Sequence, residues 1–84
     1  MPRAIVLVNA NFGSDELVAS RLREIHGVVS VYRVSGVYDI VALVQTNAIS
    51  ELRVIITDKI RKLDDIRSCI TMMVAGSDSI GITA

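Results

Sequence analysis

The sequence contains one cysteine, one histidine, one proline and no tryptophan in 84 residues. A single cysteine excludes a disulfide within the chain, and one cysteine with one histidine argues against a transition-metal site built from a single subunit. Aromatic residues make up 4% of the chain and the formal net charge is zero. A neutral chain lacks the surplus of lysine and arginine that supplies most of the affinity of nucleic-acid-binding proteins. We therefore expect no metal, no cofactor and no direct contact with nucleic acid.

Long hydrophobic segments are also missing. The apolar run at residues 4–8 is too short for the core of a signal peptide or for a membrane span. We therefore expect a cytoplasmic protein with no membrane partner. Hydrophobic residues nevertheless account for 51% of the chain, which suits one small globular domain.

Hydrophobic periodicity predicts six elements in the order strand, helix, strand, strand, helix, strand. The strands are rich in branched residues and are predicted at residues 4–10, 28–34, 38–45 and 66–74. The first helix is predicted to begin at Ser14, which can cap its amino terminus, and to end at Gly27.

The second helix is predicted to follow Thr46 or Asn47. Apolar residues three or four apart form one stripe along it, made up of Ile49, Leu52, Ile56, Ile60 and Leu63. Val54 and Ile55 lie off this stripe and are candidates for an additional contact.

Two such strand-helix-strand units, each with a right-handed crossover, give an α+β fold. We expect a ferredoxin-like βαββαβ sandwich, in which a four-stranded antiparallel sheet carries two helices on one face and has its first and third strands in the centre. Residues 1–75 are predicted to form this domain, and residues 76–84 are predicted to form a C-terminal tail.

The two central strands are apolar on both faces. Ile5, Leu7, Val41 and Leu43 cannot point toward the helices together with their neighbours, because successive side chains of a strand point to opposite faces. Burying one large aliphatic side chain is worth about 1.5–3 kcal/mol, so a second apolar face favours association. We expect a dimer that packs sheet to sheet, and a ring of such dimers.

Asp39 is the polar residue with the clearest chemical potential. It opens an aliphatic strand just after the Gly36 turn, where its carboxylate could bind an ammonium group while backbone N–H groups of the turn bind a carboxylate. This combination suits an amino-acid zwitterion. The alternative is an aspartate that closes its own turn by accepting hydrogen bonds from the backbone.

The Gly-Val-Tyr-Asp-Ile sequence at residues 36–40, followed by an aliphatic strand, an amphipathic helix and a strand with Thr71, resembles a known family. It is similar to the effector-binding domain of the Lrp/AsnC transcriptional regulators, also called the RAM domain. In that family the domain binds small molecules, usually amino acids, in clefts between dimers. By position, the resemblance implies that the ligand contacts Gly36, Val37, Tyr38 and Asp39 of one subunit and Thr71, Met72 and Met73 of a neighbour.

The chain departs from this family in two ways. The family's N-terminal helix-turn-helix has no counterpart before the first strand, and its Pro-Gly-Val before the last strand is replaced by residues 64–66, Asp-Asp-Ile. The resemblance therefore implies a self-assembling amino-acid sensor without its own DNA-binding domain, which modulates transcription through full-length Lrp/AsnC relatives.

Two other functions are compatible with the same fold. One is a small dimeric enzyme, such as a cofactor-free monooxygenase or isomerase, that works in a pocket between sheet and helices. Because His26 lies at a predicted helix end without a triad partner, and the inward helix faces are aliphatic, we expect no enzyme. The other is a purely structural assembly module whose turn binds nothing.

Overall fold

The four predicted strands form one antiparallel sheet in the computed structural model, which describes residues 1–75. The strands are β1 (Arg3–Ala10), β2 (Val28–Arg33), β3 (Ile40–Gln45) and β4 (Ile66–Met73). The helices are α1 (Asp15–Arg23) and α2 (Ile49–Val54), and α2 continues into a π-helical segment (Ile55–Ile60), called the π segment. This order confirms the predicted α+β ferredoxin-like fold. The predicted tail at residues 76–84 lies outside the described residues.

The strand order in the sheet is β2-β3-β1-β4, with β1 and β3 in the centre as the sequence predicts. Strand β3 begins at Ile40 rather than at Tyr38, because Tyr38 and Asp39 belong to the irregular connection from β2. Helix α1 ends at Arg23, earlier than the predicted Gly27, and a turn follows it. No helix within residues 1–75 is long and apolar enough to cross a membrane.

Alternate residues of β1 and β3 are buried beneath the helices. They pair across the two strands, with Val6 opposite Ala42 and Val8 opposite Ile40. The helical residues that complete this core are Val18, Ala19, Leu22, Leu52, Ile55, Ile56 and Ile60.

The predicted stripe on the second helix is confirmed only in its middle part. Ile49 is 51% exposed, and Leu63 is half-buried beyond the end of the π segment. Ile55, which lies off the stripe at α-helical spacing, is buried. The wider turn of a π helix changes which residues share a face, so the α-helical period does not find Ile55.

The sheet face turned away from the helices is also apolar. Leu7 lies opposite Val41 on one side and Ile70 on the other, and Ile5 lies opposite Leu43 and Met72. Directly opposite residues of an antiparallel pair point to the same face, so these six side chains form one surface. We call it the outer face and define it by Ile5, Leu7, Val41, Leu43, Ile70 and Met72. None of the six is buried in the described chain.

Gly27 fixes the end of the α1 connection against the π segment. It has a φ of +98°, and a Cβ built on it would overlap the δ1 methyl of Ile55. Only glycine combines this backbone conformation with so close a neighbour.

We expect Gly27→Ala to lower the free energy of unfolding by about 2–3 kcal/mol, because steric overlap adds to the strain of a positive φ. Gly13→Ala is the matched control, since Gly13 has a φ of +80° with open space around it. Gly13→Ala should lower the free energy of unfolding by only about 1 kcal/mol. Equilibrium urea denaturation measures both. Adding Ile55→Val, which deletes the overlapping methyl, should recover part of the loss, and the absence of any recovery would contradict this contact.

Candidate functional site

The connection between β2 and β3 carries the predicted ligand-binding turn. The backbone N–H of Val34 donates a hydrogen bond of 2.8 Å to the carbonyl of Asp39, which closes the connection at its base. Gly36 and Val37 are exposed at its tip, with Val37 85% exposed, whereas Tyr38 is half-buried. The tip is therefore open to a ligand or to a neighbouring subunit.

The side-chain carboxylate of Asp39 is bonded to β1 rather than to its own turn. Its Oδ2 accepts a hydrogen bond of 3.1 Å from the backbone N–H of Ala10, and its own N–H donates to the carbonyl of Val8 at 3.1 Å. Within residues 1–75, no hydrogen bond reaches the second carboxylate oxygen, Oδ1. One oxygen thus holds the strand end while the other is available to a ligand.

A cavity of about 290 Å³ lies beside Asp39. We call it the Asp39 cavity, and its lining residues are Ala10, Asn11, Phe12, Gly13, Asp15, Asp39 and Arg67. Asp15 is already paired with Arg33 at 3.0 Å. The charges left to meet a ligand are therefore the carboxylate of Asp39 and the guanidinium of Arg67. A group of each sign in one cavity can bind an ammonium and a carboxylate together.

The position of Arg67 results from a β-bulge. Asn9 pairs with Ser68 while Ala10 pairs with Ile66, so Arg67 is the unpaired residue between them. A bulge of this kind changes the direction of side chains, and bulges are common beside functional sites. Here Ile66 packs against the core and Arg67 lines the cavity. The loop that follows β1 has no basic residue of its own, so sequence reasoning missed Arg67.

Asp65, just before the bulge, has a φ of +69°. Its carbonyl accepts a hydrogen bond of 2.7 Å from the N–H of Asn11, which ties the start of β4 to the loop after β1. In the family that the chain resembles, a glycine stands at this position, and glycine adopts a positive φ without strain. The Asp-Asp-Ile sequence therefore has a left-handed residue, Asp65, where the family has the glycine of Pro-Gly-Val.

The predicted residues on β4 lie far from the turn within one subunit. Thr71, Met72 and Met73 stand opposite Val6, Ile5 and Ala4, respectively. Asp39 is bonded to Ala10, at the other end of β1. Ala10 lies six residues along the strand from Ala4, which corresponds to about 20 Å. A single subunit therefore does not bring Met73 and Asp39 together.

Two buried side-chain oxygens in the described part of the chain have no hydrogen-bond partner, Asn9 Oδ1 and Thr71 Oγ1. Asn9 donates through Nδ2 to the Ser68 hydroxyl at 3.3 Å, so only its oxygen is unsatisfied. A buried polar atom without a partner costs about 1–3 kcal/mol, so such atoms usually find one in the functional state. Sequence reasoning did not single out Asn9, because strand-end asparagines are common.

Burial disfavours the reactive form of Cys69. Burial raises the pKa of its thiol above the ordinary value, although the charge of Arg61 and the hydroxyl of Thr71 oppose this shift. The contact between the Thr71 hydroxyl and the thiol is not a full hydrogen bond. Thr71 Oγ1 therefore still lacks a hydrogen-bond partner within residues 1–75. The thiolate is the reactive form, so a raised pKa lowers the reactivity of this thiol at neutral pH.

The family model of the Lrp/AsnC ligand binding domain matches residues 3–77. The chain therefore belongs to the Lrp/AsnC family and contains its ligand-binding domain. This confirms the resemblance carried by the turn at residues 36–40.

Individual relatives agree with this assignment. The chain is 39% identical over 59 residues to YugG of Bacillus subtilis strain 168, an uncharacterized HTH-type transcriptional regulator. The match covers 70% of the chain and 35% of YugG, so the chain spans about a third of that protein's length.

Two solved structures show the same fold. The crystal structure of TTHA0845 from Thermus thermophilus matches with a TM-score of 0.86 and 28% identity, over 95% of this chain and 100% of that chain. The structure of AsnC from E. coli matches with a TM-score of 0.83 and 19% identity, over 98% of this chain and 56% of that chain. The fold is thus found both in a short chain and in part of a longer one.

We expect Asp39→Ala to lower the free energy of unfolding by about 1–2 kcal/mol, because the N–H of Ala10 loses its acceptor. Asp39→Asn keeps a side-chain oxygen at the same place and should lower it by less than half as much. Equilibrium urea denaturation again provides the measurement. If the two variants were equally stable, the bond to Ala10 would not matter to the fold.

Proposed function

We propose that this chain binds an α-amino acid as a regulatory effector and does so as an assembly of several copies. The observation that carries the proposal is that Asp39 and Arg67, of opposite charge, line one cavity of a domain from the Lrp/AsnC ligand-binding family. In this proposal the chain acts as a sensor of its effector and not as an enzyme.

The two charged groups define how such an effector would bind. The free Oδ1 of Asp39 accepts hydrogen bonds from the ammonium group, and the planar guanidinium of Arg67 receives the carboxylate through two N–H donors. Phe12, whose side chain is fully exposed at the cavity, offers an apolar surface to the effector's side chain. Arg33 neutralises Asp15 nearby. The remaining charges, one negative on Asp39 and one positive on Arg67, therefore match the two charges of a zwitterion.

The rest of the site comes from neighbouring copies in this proposal. Gly36, Val37 and Tyr38 extend the binding surface of the turn beyond the Asp39 cavity. Residues 71–73, which lie near the other end of β1, would approach the effector from a second subunit. The distance of about 20 Å along β1 between the positions of Met73 and Asp39 supports a site shared by two subunits.

The outer face provides the surface for assembly. Ile70 and Met72 are each 45% exposed there, beside the half-buried side chains of β1 and β3. Covering this face with a second sheet removes apolar area from water. Each Å² of apolar surface that is buried stabilises the assembly by about 25 cal/mol. We propose a sheet-to-sheet dimer and a ring of dimers. Assembly with longer Lrp/AsnC members through the same face would connect effector binding to transcription.

Calorimetric titration of the assembled protein with a panel of amino acids tests effector binding. We expect at least one to bind at millimolar concentration or below. Asp39→Asn and Arg67→Gln should each weaken that binding about tenfold, because each removes one charge-assisted contact.

Two exposed residues outside the Asp39 cavity provide matched controls for this titration. Asp64→Asn and Arg53→Gln change the same charges and should leave the affinity unchanged. The proposal fails if no amino acid binds the assembled protein, or if the control variants weaken binding as much as the cavity variants do.

Assembly through the outer face has its own test. Ile70→Glu places a charge on the outer face, whereas Leu17→Glu places one on α1 at a residue of almost equal exposure, 46% against 45%. We expect the native chain and Leu17→Glu to sediment as dimers or larger species, and Ile70→Glu to sediment as a folded monomer. Circular dichroism verifies folding. A native chain that stays monomeric at micromolar concentration would refute the assembly.

A further inference from the structure

A second cavity lies on the helical side of the molecule. Its volume is about 380 Å³, and we call it the helix cavity. Its lining residues are Glu24, Ile25, His26, Glu51, Val54, Ile55 and Lys59. Glu24 follows the carboxyl end of α1, whereas Asp15 of the Asp39 cavity starts that helix. Nine residues of helix, about 13 Å, separate these two positions, and the cavities share no residue.

The walls of the helix cavity are held by close packing. Gly27 lies against the δ1 methyl of Ile55, which fixes the turn after α1 onto the start of the π segment. A π-helical turn is rare and often occurs at functional sites, because it moves side chains out of the α-helical pattern. Next to it, Val54 remains 50% exposed in the cavity, although its neighbour Ile55 is buried. Val54 and Ile55 are the two residues that lie off the predicted stripe.

The charges around this cavity favour a cation. Glu24 and Glu51 come from elements on two sides of it, and Lys59 and His26 are the basic side chains in its lining, with histidine neutral in the formal charge at pH 7. None of these four forms an ion pair with another residue of 1–75. Two carboxylates against one ammonium give a negative potential above an apolar wall. Such a surface complements an ammonium group that carries an aliphatic chain.

We propose that the helix cavity binds a small aliphatic amine, with its ammonium between Glu24 and Glu51 and its chain against Ile25 and Val54. This site is separate from the effector site, and it stands whether or not Asp39 binds an amino acid. A cavity of this volume accommodates a chain of a few methylenes.

Amide NMR spectra of the full chain, titrated with n-hexylammonium, test the site. Saturable shifts should centre on residues 24–27 and 51–59, and they should persist in Asp39→Asn. Hexanoate and hexanol, which match the chain length without the positive charge, should bind at least about tenfold more weakly.

The double variant Glu24→Gln/Glu51→Gln should weaken hexylammonium binding about tenfold. Asp58→Asn is the matched control, because it removes a carboxylate from the π segment at an exposed residue outside the cavity lining. Unchanged binding in Asp58→Asn supports the site. The proposal is overturned if no saturable shift occurs, if hexanoate binds equally well, or if Asp58→Asn weakens binding as much as the double variant.

Discussion

The antiparallel pairing of β1 with β3 is the interaction on which both the core and the Asp39 cavity depend. Its register places Val6 and Val8 against Ala42 and Ile40 beneath the helices. The same pairing continues past the end of β3, where Asp39 bonds to the backbone of Val8 and Ala10. A slip of one residue would turn the core side chains to the outer face and separate Asp39 from its partner. Fold and site are therefore specified by one register.

Much of this fold could be predicted from the sequence, because its signals are local. Continuous apolar runs indicate the two central strands, and the three-to-four-residue spacing of Leu52, Ile56 and Ile60 indicates the second helix. The ends of the elements were harder to predict. Tyr38 and Asp39 have strand-like neighbours in the sequence, but they precede β3, and Asp39 is held by hydrogen bonds to β1. The π segment was not predicted either, because its wider turn has no distinct residue pattern.

The candidate site was harder to predict, since its parts are brought together by long-range pairing. Asp39 and the Gly36 turn were singled out from their chemistry, and the resemblance to a family added Val37, Tyr38 and residues 71–73. Arg67 was missed because its place in the cavity depends on the bulge between β1 and β4, and the residues around it show no sign of that bulge. The partner of the Asp39 carboxylate was also missed, since the alternative to ligand binding was a bond within its own turn, and the structure has one to β1.

The geometry of β1 makes effector sensing and assembly the same event in the proposed function. Asp39 lies at one end of this strand and Met73 at the other, about 20 Å apart, and a free amino acid is far shorter than that distance. If both ends contact one effector, they must belong to different subunits. A ligand that binds only where two subunits meet stabilises their contact by the free energy of its own binding. The outer face then supplies the constant part of the association energy, and the effector supplies the part that varies with its concentration.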